Sequence, residues 1–133
     1  MRLTAYCDFL YDQAHSRRGI HVEQFRIPLA DDGSEGLIVG GIQFWDDSLL
    51  YFREELVERN ITTVRTDYVY HYQSAGGALL FRYDRSPHYP ELATFPHHKH
   101  VAVDGEETVE AAQPPTLSEV LREIEGLLSS QST

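Results

Sequence analysis

From residue 21 to residue 84 the chain alternates short strand-like runs with very short polar breaks, and this restricts the sheet it can build. The runs cover about 21–29, 36–45, 49–58, 62–73 and 78–84. They are separated by Asp31-Asp32-Gly33, Asp46-Asp47, Arg59-Asn60 and Ser74-Ala75-Gly76-Gly77, all turn-forming residue types. Breaks this short close antiparallel hairpins, because a parallel pair needs a crossover of roughly a dozen residues or more. A five-stranded meander is the economical reading. The hairpin at 74–77 is the firmest, since Gly76 and Gly77 admit positive φ at little cost. Residues 85–96 carry Pro87, Pro90 and Pro96 and read as an irregular excursion. Residues 97–103 could add a sixth, edge strand, and 104–113 reads as a polar, acidic loop.

Helical spacing frames these runs. Leu3, Tyr6, Cys7, Leu10 and Ala14 predict an amphipathic helix over 3–17 that Gly19 ends. After Pro114-Pro115, Thr116 and Glu119 form a capping box. Leu117, Val120, Leu121, Ile124, Leu127 and Leu128 make one apolar stripe, which predicts a helix covering a sheet face. The tail after 128 is expected to fray. The expected fold is therefore α+β: an antiparallel meander sheet of five or six strands flanked by an N-terminal and a C-terminal helix, in one domain over 1–133.

At 41% hydrophobic residues with eight tyrosines, the chain has the composition of a globular protein rather than a disordered one. Its single cysteine, Cys7, forms no internal disulfide, and the expected compartment is the reducing cytoplasm. No apolar run is long enough to span a membrane, and the N-terminus lacks a signal-peptide core. The formal charge of −10 argues against a general nucleic-acid binder but leaves room for a local basic site. One lysine among eleven Lys and Arg residues fits a high-GC or salt-adapted genome.

Period-two alternation assigns faces. Tyr68, Tyr70 and Tyr72 share one face of a strand, with His71 and Val69 on the other. A packed tyrosine face is the simpler reading, and stacking on RNA bases the alternative. Glu54 shares a face with Leu50 and Phe52, so burial would require a cation such as Arg82. Phe44, Trp45 and Cys7 read as core.

Cationic and titratable residues concentrate further along. Five of the seven histidines and the only lysine lie between His71 and His100. Between 82 and 100, three cations (Arg82, Arg85, Lys99) face two acids (Asp84, Glu91), a balance of +1 that leaves −11 elsewhere. If 97–100 is extended, His98 and His100 share one face and His97 and Lys99 the other. A buried sheet face would not accept these groups without partners. A functional site is the preferred reading of the cluster, and a polar edge strand that discourages aggregation is the alternative.

Two chemistries suit the cluster. Attack of a ribose 2′-oxygen on the adjacent phosphate needs a base, an acid and a cation. His98 and His100 are the leading acid–base candidates, with His97 and His88 as rivals, and Lys99, Arg82 and Arg85 suit the phosphate charge. Asp84 could orient a histidine or an arginine. Alternatively, His98-x-His100 could bind a metal, completed by Asp104 or His88, a spacing faintly like a cupin motif whose second half is not visible.

Phe81-Arg82-Tyr83-Asp84, Pro87-His88 and Phe95-Pro96-His97-His98-Lys99-His100-Val101 together resemble the TumE family of toxin-antitoxin toxins. Phe44-Trp45-Asp46-Asp47-Ser48 and Tyr70-His71-Tyr72 also look like that family, and the resemblance runs from about 22 to 128. Arg85 stands where members usually have Asn or a second acid, and Tyr89 where many have a second histidine. The resemblance implies a small toxin acting on RNA, paired with a DNA-binding antitoxin. The reading adopted is a toxin with ribonuclease activity needing no cofactor and no metal. His98, His100, His97, Lys99 and His88 supply the chemistry, and Arg82, Arg85, Tyr83, Asp84 and His71 contact substrate. The alternatives are a non-enzymatic protein engaging a basic partner and a metal-dependent enzyme.

Overall fold

The computed structural model describes residues 1–131. Helix α1 (Leu3–His15) is followed by β1 (Ile20–Arg26), β2 (Glu35–Phe44), β3 (Leu49–Arg59), β4 (Thr62–Gln73), β5 (Leu79–Asp84), β6 (His98–Val103) and β7 (Glu106–Ala111), then helix α2 (Leu117–Gln131). The strands form one sheet in chain order, each antiparallel to its neighbours. The meander and flanking helices match expectation, as does the 74–77 hairpin, where Gly77 alone has positive φ. Helix α2 continues past Leu128 to Gln131, and residues 132–133 of the tail expected to fray lie outside the described residues.

The sheet has seven strands, not five or six. The acidic segment read as a loop contains β7, which makes β6 an interior strand and not an edge. The signal was Asp104-Gly105, whose φ values of 52° and 81° meet the need of a two-residue hairpin for positive φ at both central positions. The glutamates that suggested a loop sit on the exposed edge strand, where charge is common.

Pairing propagates one apolar face across the sheet. Ile42 opposes Leu50, Leu50 opposes Tyr72, and Tyr72 opposes Phe81. This face packs with Leu3, Cys7 and Leu10 of α1 and Leu117, Leu121 and Ile124 of α2 in a single core. Both helices therefore cover the same side. Tyr68, Tyr70 and Tyr72 are buried in it, as the packed-face reading required. Gly40 is needed here because a Cβ on it would lie 2.2 Å from the Phe52 ring. Trp45, expected in the core, is 58% exposed: β2 ends at Phe44, and Trp45 enters the turn instead. The capping box is formed, with Thr116 Oγ1 accepting from Glu119 N at 3.1 Å and Glu119 Oε1 accepting from Thr116 N at 3.1 Å.

Glu54 is fully buried on the core face. It accepts hydrogen bonds from the Tyr6 and Tyr70 hydroxyls, and its cation is Arg65 at 3.6 Å, not Arg82. A bulge between β3 and β4 explains the change of partner. Glu55 pairs with Asp67, but Leu56 pairs with Arg65, so Thr66 is passed over and Arg65 is turned to the core side.

The β3–β4 turn holds Asn60 at φ 51° and Ile61 at φ 59°. A β-branched residue is poorly suited to the left-handed region, and Ile61 is 67% exposed, so little packing compensates. Ile61→Gly is expected to stabilise the protein by about 1 kcal/mol in urea unfolding, the strain removed exceeding the added chain entropy. A lower denaturation midpoint would contradict this account of the turn. Among the described residues, no helix is long and apolar enough to cross a membrane.

Candidate active site on the open face of the sheet

The face opposite the helices carries the side chains that alternate with the core. Asp84 pairs with His98 and Arg82 with His100 across β5 and β6, so all four project from this open side. The 85–97 excursion folds back over them. The Tyr89 ring packs 4.9 Å from the His98 ring and 6.0 Å from the His100 ring, centroid to centroid. The Thr94 hydroxyl anchors the excursion by donating to His97 O at 2.6 Å and accepting from Ala112 N at 3.0 Å. His98 is 1% exposed under this cover, so the strand is not the exposed polar strand that sequence suggested.

Asp84 is the hub. Its Oδ1 lies 2.8 Å from His98 Nε2 and accepts from Ser86 N at 3.0 Å. Its Oδ2 accepts from Arg82 Nε at 3.0 Å and lies 3.8 Å from His100 Nε2. Burial raises the pKa of the carboxyl, but the Ser86 amide, Arg82 and His98 together outweigh it and hold it below the ordinary value. The two Nε2 atoms are 3.1 Å apart. His98 Nδ1 contacts the Pro96 carbonyl at 2.9 Å, and His100 Nδ1 contacts Glu107 Oε1 at 2.8 Å.

Arg82 extends the cluster. Its Nη1 donates to His71 Nδ1 at 3.2 Å. Burial and the Arg82 charge lower the His71 pKa, so the ring favours its neutral form. His71 and Arg82 form one wall of an open cleft of about 570 Å³ that continues past Arg53 and Tyr51 to Gln24. The cleft adjoins the Asp84 cluster through Arg82.

Other predicted residues lie elsewhere. Lys99 and Tyr83 are on the helix side, where both bond Glu123 of α2, at 2.7 and 2.6 Å. His97 also points to that side, with its Nδ1 2.8 Å from the Tyr68 hydroxyl. Burial, Arg85 and Arg65 lower the His97 pKa. Arg85 Nη1 donates to the Thr66 carbonyl. His88 is exposed on the excursion beside Tyr89. The metal partners considered from sequence do not join the histidine pair: Asp104 is in the β6–β7 turn, and Asp84 takes the place proposed for it and for His88. Glu107 was missed, because only the Asp104-Gly105 hairpin places it diagonally beside His100.

The depressed histidines predict how stability responds to pH. An unfolded histidine titrates near 6.5, whereas His71 and His97 resist protonation in the folded chain. Below about pH 6.5 the unfolded chain binds more protons, so stability falls as the solution is acidified. The depressed Asp84 contributes stability above its unfolded pKa near 3.8, and this is lost as pH falls through its lower folded value. The thermal midpoint should therefore be lower at pH 5 than at pH 7.5 and fall again below about pH 4. Equal midpoints at pH 5 and 7.5 would contradict the assignment.

No curated protein and no solved structure matches the chain. The family model described as Toxin TumE matches residues 9–128, a span that includes every strand and most of both helices. That span covers the Asp84, His98 and His100 cluster with the strands that pair it, and with so much of the chain matched, this protein belongs to the TumE toxin family.

Proposed function

We propose that this toxin cleaves RNA on the open face of the sheet, with the Asp84–His98–His100 cluster as its reactive centre. The supporting observation is the convergence of a carboxylate and two imidazole Nε2 atoms beside Arg82 and an open cleft. Family membership makes the protein the toxin of a toxin-antitoxin pair, and so gives it an antitoxin partner.

Cleavage requires the ribose 2′-oxygen to bond phosphorus while the bond to the 5′-oxygen breaks. The attacking and leaving oxygens lie on opposite sides of phosphorus. Two nitrogens 3.1 Å apart cannot flank a phosphate, so His98 and His100 work as one unit on one of those oxygens. We assign them to the 2′-oxygen, whose proton passes to the pair. Arg82, 38% exposed at its side chain, meets the charge that builds on the phosphoryl oxygens. His71 accepts from Arg82 at Nδ1 and so steadies the guanidinium, while the departing 5′-oxygen takes its proton from water, whose hydroxide is neutralised by the proton held on the histidine pair. The antitoxin is read as a basic, DNA-binding protein drawn to the −10 chain.

The test is incubation of purified protein with a mixed RNA substrate at neutral pH. Fragments ending in a 2′,3′-cyclic phosphate support the proposal. RNA left intact across pH and divalent-ion conditions overturns it, and favours a toxin that acts by binding.

A further inference from the structure

Asp84, His98 and His100 pose a problem of charge. The Pro96 carbonyl can only accept a hydrogen bond, so the proton on His98 belongs at Nδ1. The Glu107 carboxylate, likewise an acceptor, fixes a proton on Nδ1 of His100. In the neutral rings both Nε2 atoms then carry lone pairs, yet they lie 3.1 Å apart and beside an ionised carboxylate. One ligand atom from each of the three residues falls within 4.8 Å of the others. Three acceptors converge with no donor among them, and something positive belongs at their centre.

We propose that Asp84, His98 and His100 bind a divalent first-row transition-metal ion through one carboxylate oxygen and both Nε2 atoms. This rests on the cleavage reading only for the use made of the ion, which would take over activation of the 2′-oxygen from the imidazoles. A proton shared by the pair would also relieve the repulsion, but three features favour a metal. Each far ring nitrogen is held by an acceptor, the arrangement that fixes the tautomer and aim of ligating histidines. The ligands are rigid, since His98 and His100 are two residues apart on one strand and Asp84 is the paired partner of His98. All three project from the same side of the sheet, so their ligand atoms can face a single ion. Two imidazoles and a carboxylate suit zinc, manganese or cobalt, and suit the oxygen-seeking magnesium and calcium poorly. Arg82, on the other oxygen of Asp84, is a neighbouring cation that weakens ion binding somewhat, but it can share a bound phosphate with the ion.

The full chain, stripped with chelator and dialysed, should be titrated with Co²⁺ and followed by visible absorption, then with Zn²⁺ by calorimetry and thermal unfolding. One ion per chain and a raised thermal midpoint are expected. His100→Ala and Asp84→Asn should abolish binding, with far-ultraviolet circular dichroism confirming that they fold. Glu107→Gln should weaken it by about 10- to 100-fold. His15→Ala and His21→Ala should bind as the parent does. No binding by the parent, or binding unchanged in both His100→Ala and Asp84→Asn, overturns the proposal. An ion bound at this site with RNA left intact keeps the metal and rejects the nuclease. Cleavage that persists in excess chelator, by protein that binds no ion, keeps the nuclease and rejects the metal.

Discussion

Replacement of His100 by alanine should slow RNA cleavage by about 10²- to 10⁴-fold while leaving the protein folded. The expectation holds whether the ring takes a proton or ligates an ion, because either way its Nε2 is one of the converging atoms. Its side chain is 15% exposed and its hydrogen-bond partner Glu107 is half exposed, so truncation leaves groups that water can reach. His98 is a poorer probe. It is 1% exposed beneath Tyr89, and its loss would leave the buried Asp84 oxygen with only the Ser86 amide and open a void, costing stability as well as activity. Lys99→Ala is the informative contrast. Sequence suggested that Lys99 neutralises phosphate charge, but it bonds Glu123 on the helix side, across the sheet from His100. Cleavage by Lys99→Ala should therefore stay close to the parent rate. A His100→Ala protein that cleaves at the parent rate would remove the cluster from the chemistry.

Glu54→Ala should be among the most destabilising single changes, at about 3–5 kcal/mol. The carboxylate is fully buried between two tyrosine hydroxyls and Arg65. Burial raises the Tyr6 and Tyr70 pKa values, and the Glu54 charge adds to the effect, so both hydroxyls stay protonated and donate. Removing Glu54 leaves the Tyr6 and Tyr70 donors without their acceptor, while Arg65 still donates to the Tyr70 oxygen at 2.9 Å and to the Pro115 carbonyl. The arginine would then be a largely buried charge with no counter-ion, and that uncompensated charge dominates the cost. Urea unfolding measures the loss. A change below about 1 kcal/mol would mean that the pocket rehydrates and the ion pair is dispensable. Cleavage per folded molecule should not change, since Glu54 lies on the opposite side of the sheet from Asp84.

The two effects act on opposite faces, and the sequence distinguishes those faces unevenly. Break lengths and alternation in 21–84 determine the antiparallel meander, because a break of six residues or fewer leaves a strand no other way to return. They also determine the tyrosine face, and helical spacing with the Thr116–Glu119 box determines α2. The placement of His98 with His100 and of His97 with Lys99 on opposite sides was equally legible, since alternation is a property of the strand alone.

What alternation cannot give is a partner on another strand, a cover, or a break in the count. Asp84 meets His98 because β5 and β6 pair in that register across a fourteen-residue separation in which no local rule sets the alignment. His98 is buried only because the 85–97 excursion returns over it and places Tyr89 on its ring. Arg65, by count on the face opposite the tyrosines, reaches Glu54 because one bulge shifts the register by a residue. Seven strands instead of six was within reach of the sequence, since Asp104-Gly105 is a strong hairpin signal, but the surrounding glutamates read as a loop until an edge strand was there to carry them. Local geometry is thus written in residue order. The site depends on pairing across distance, which only the folded sheet decides.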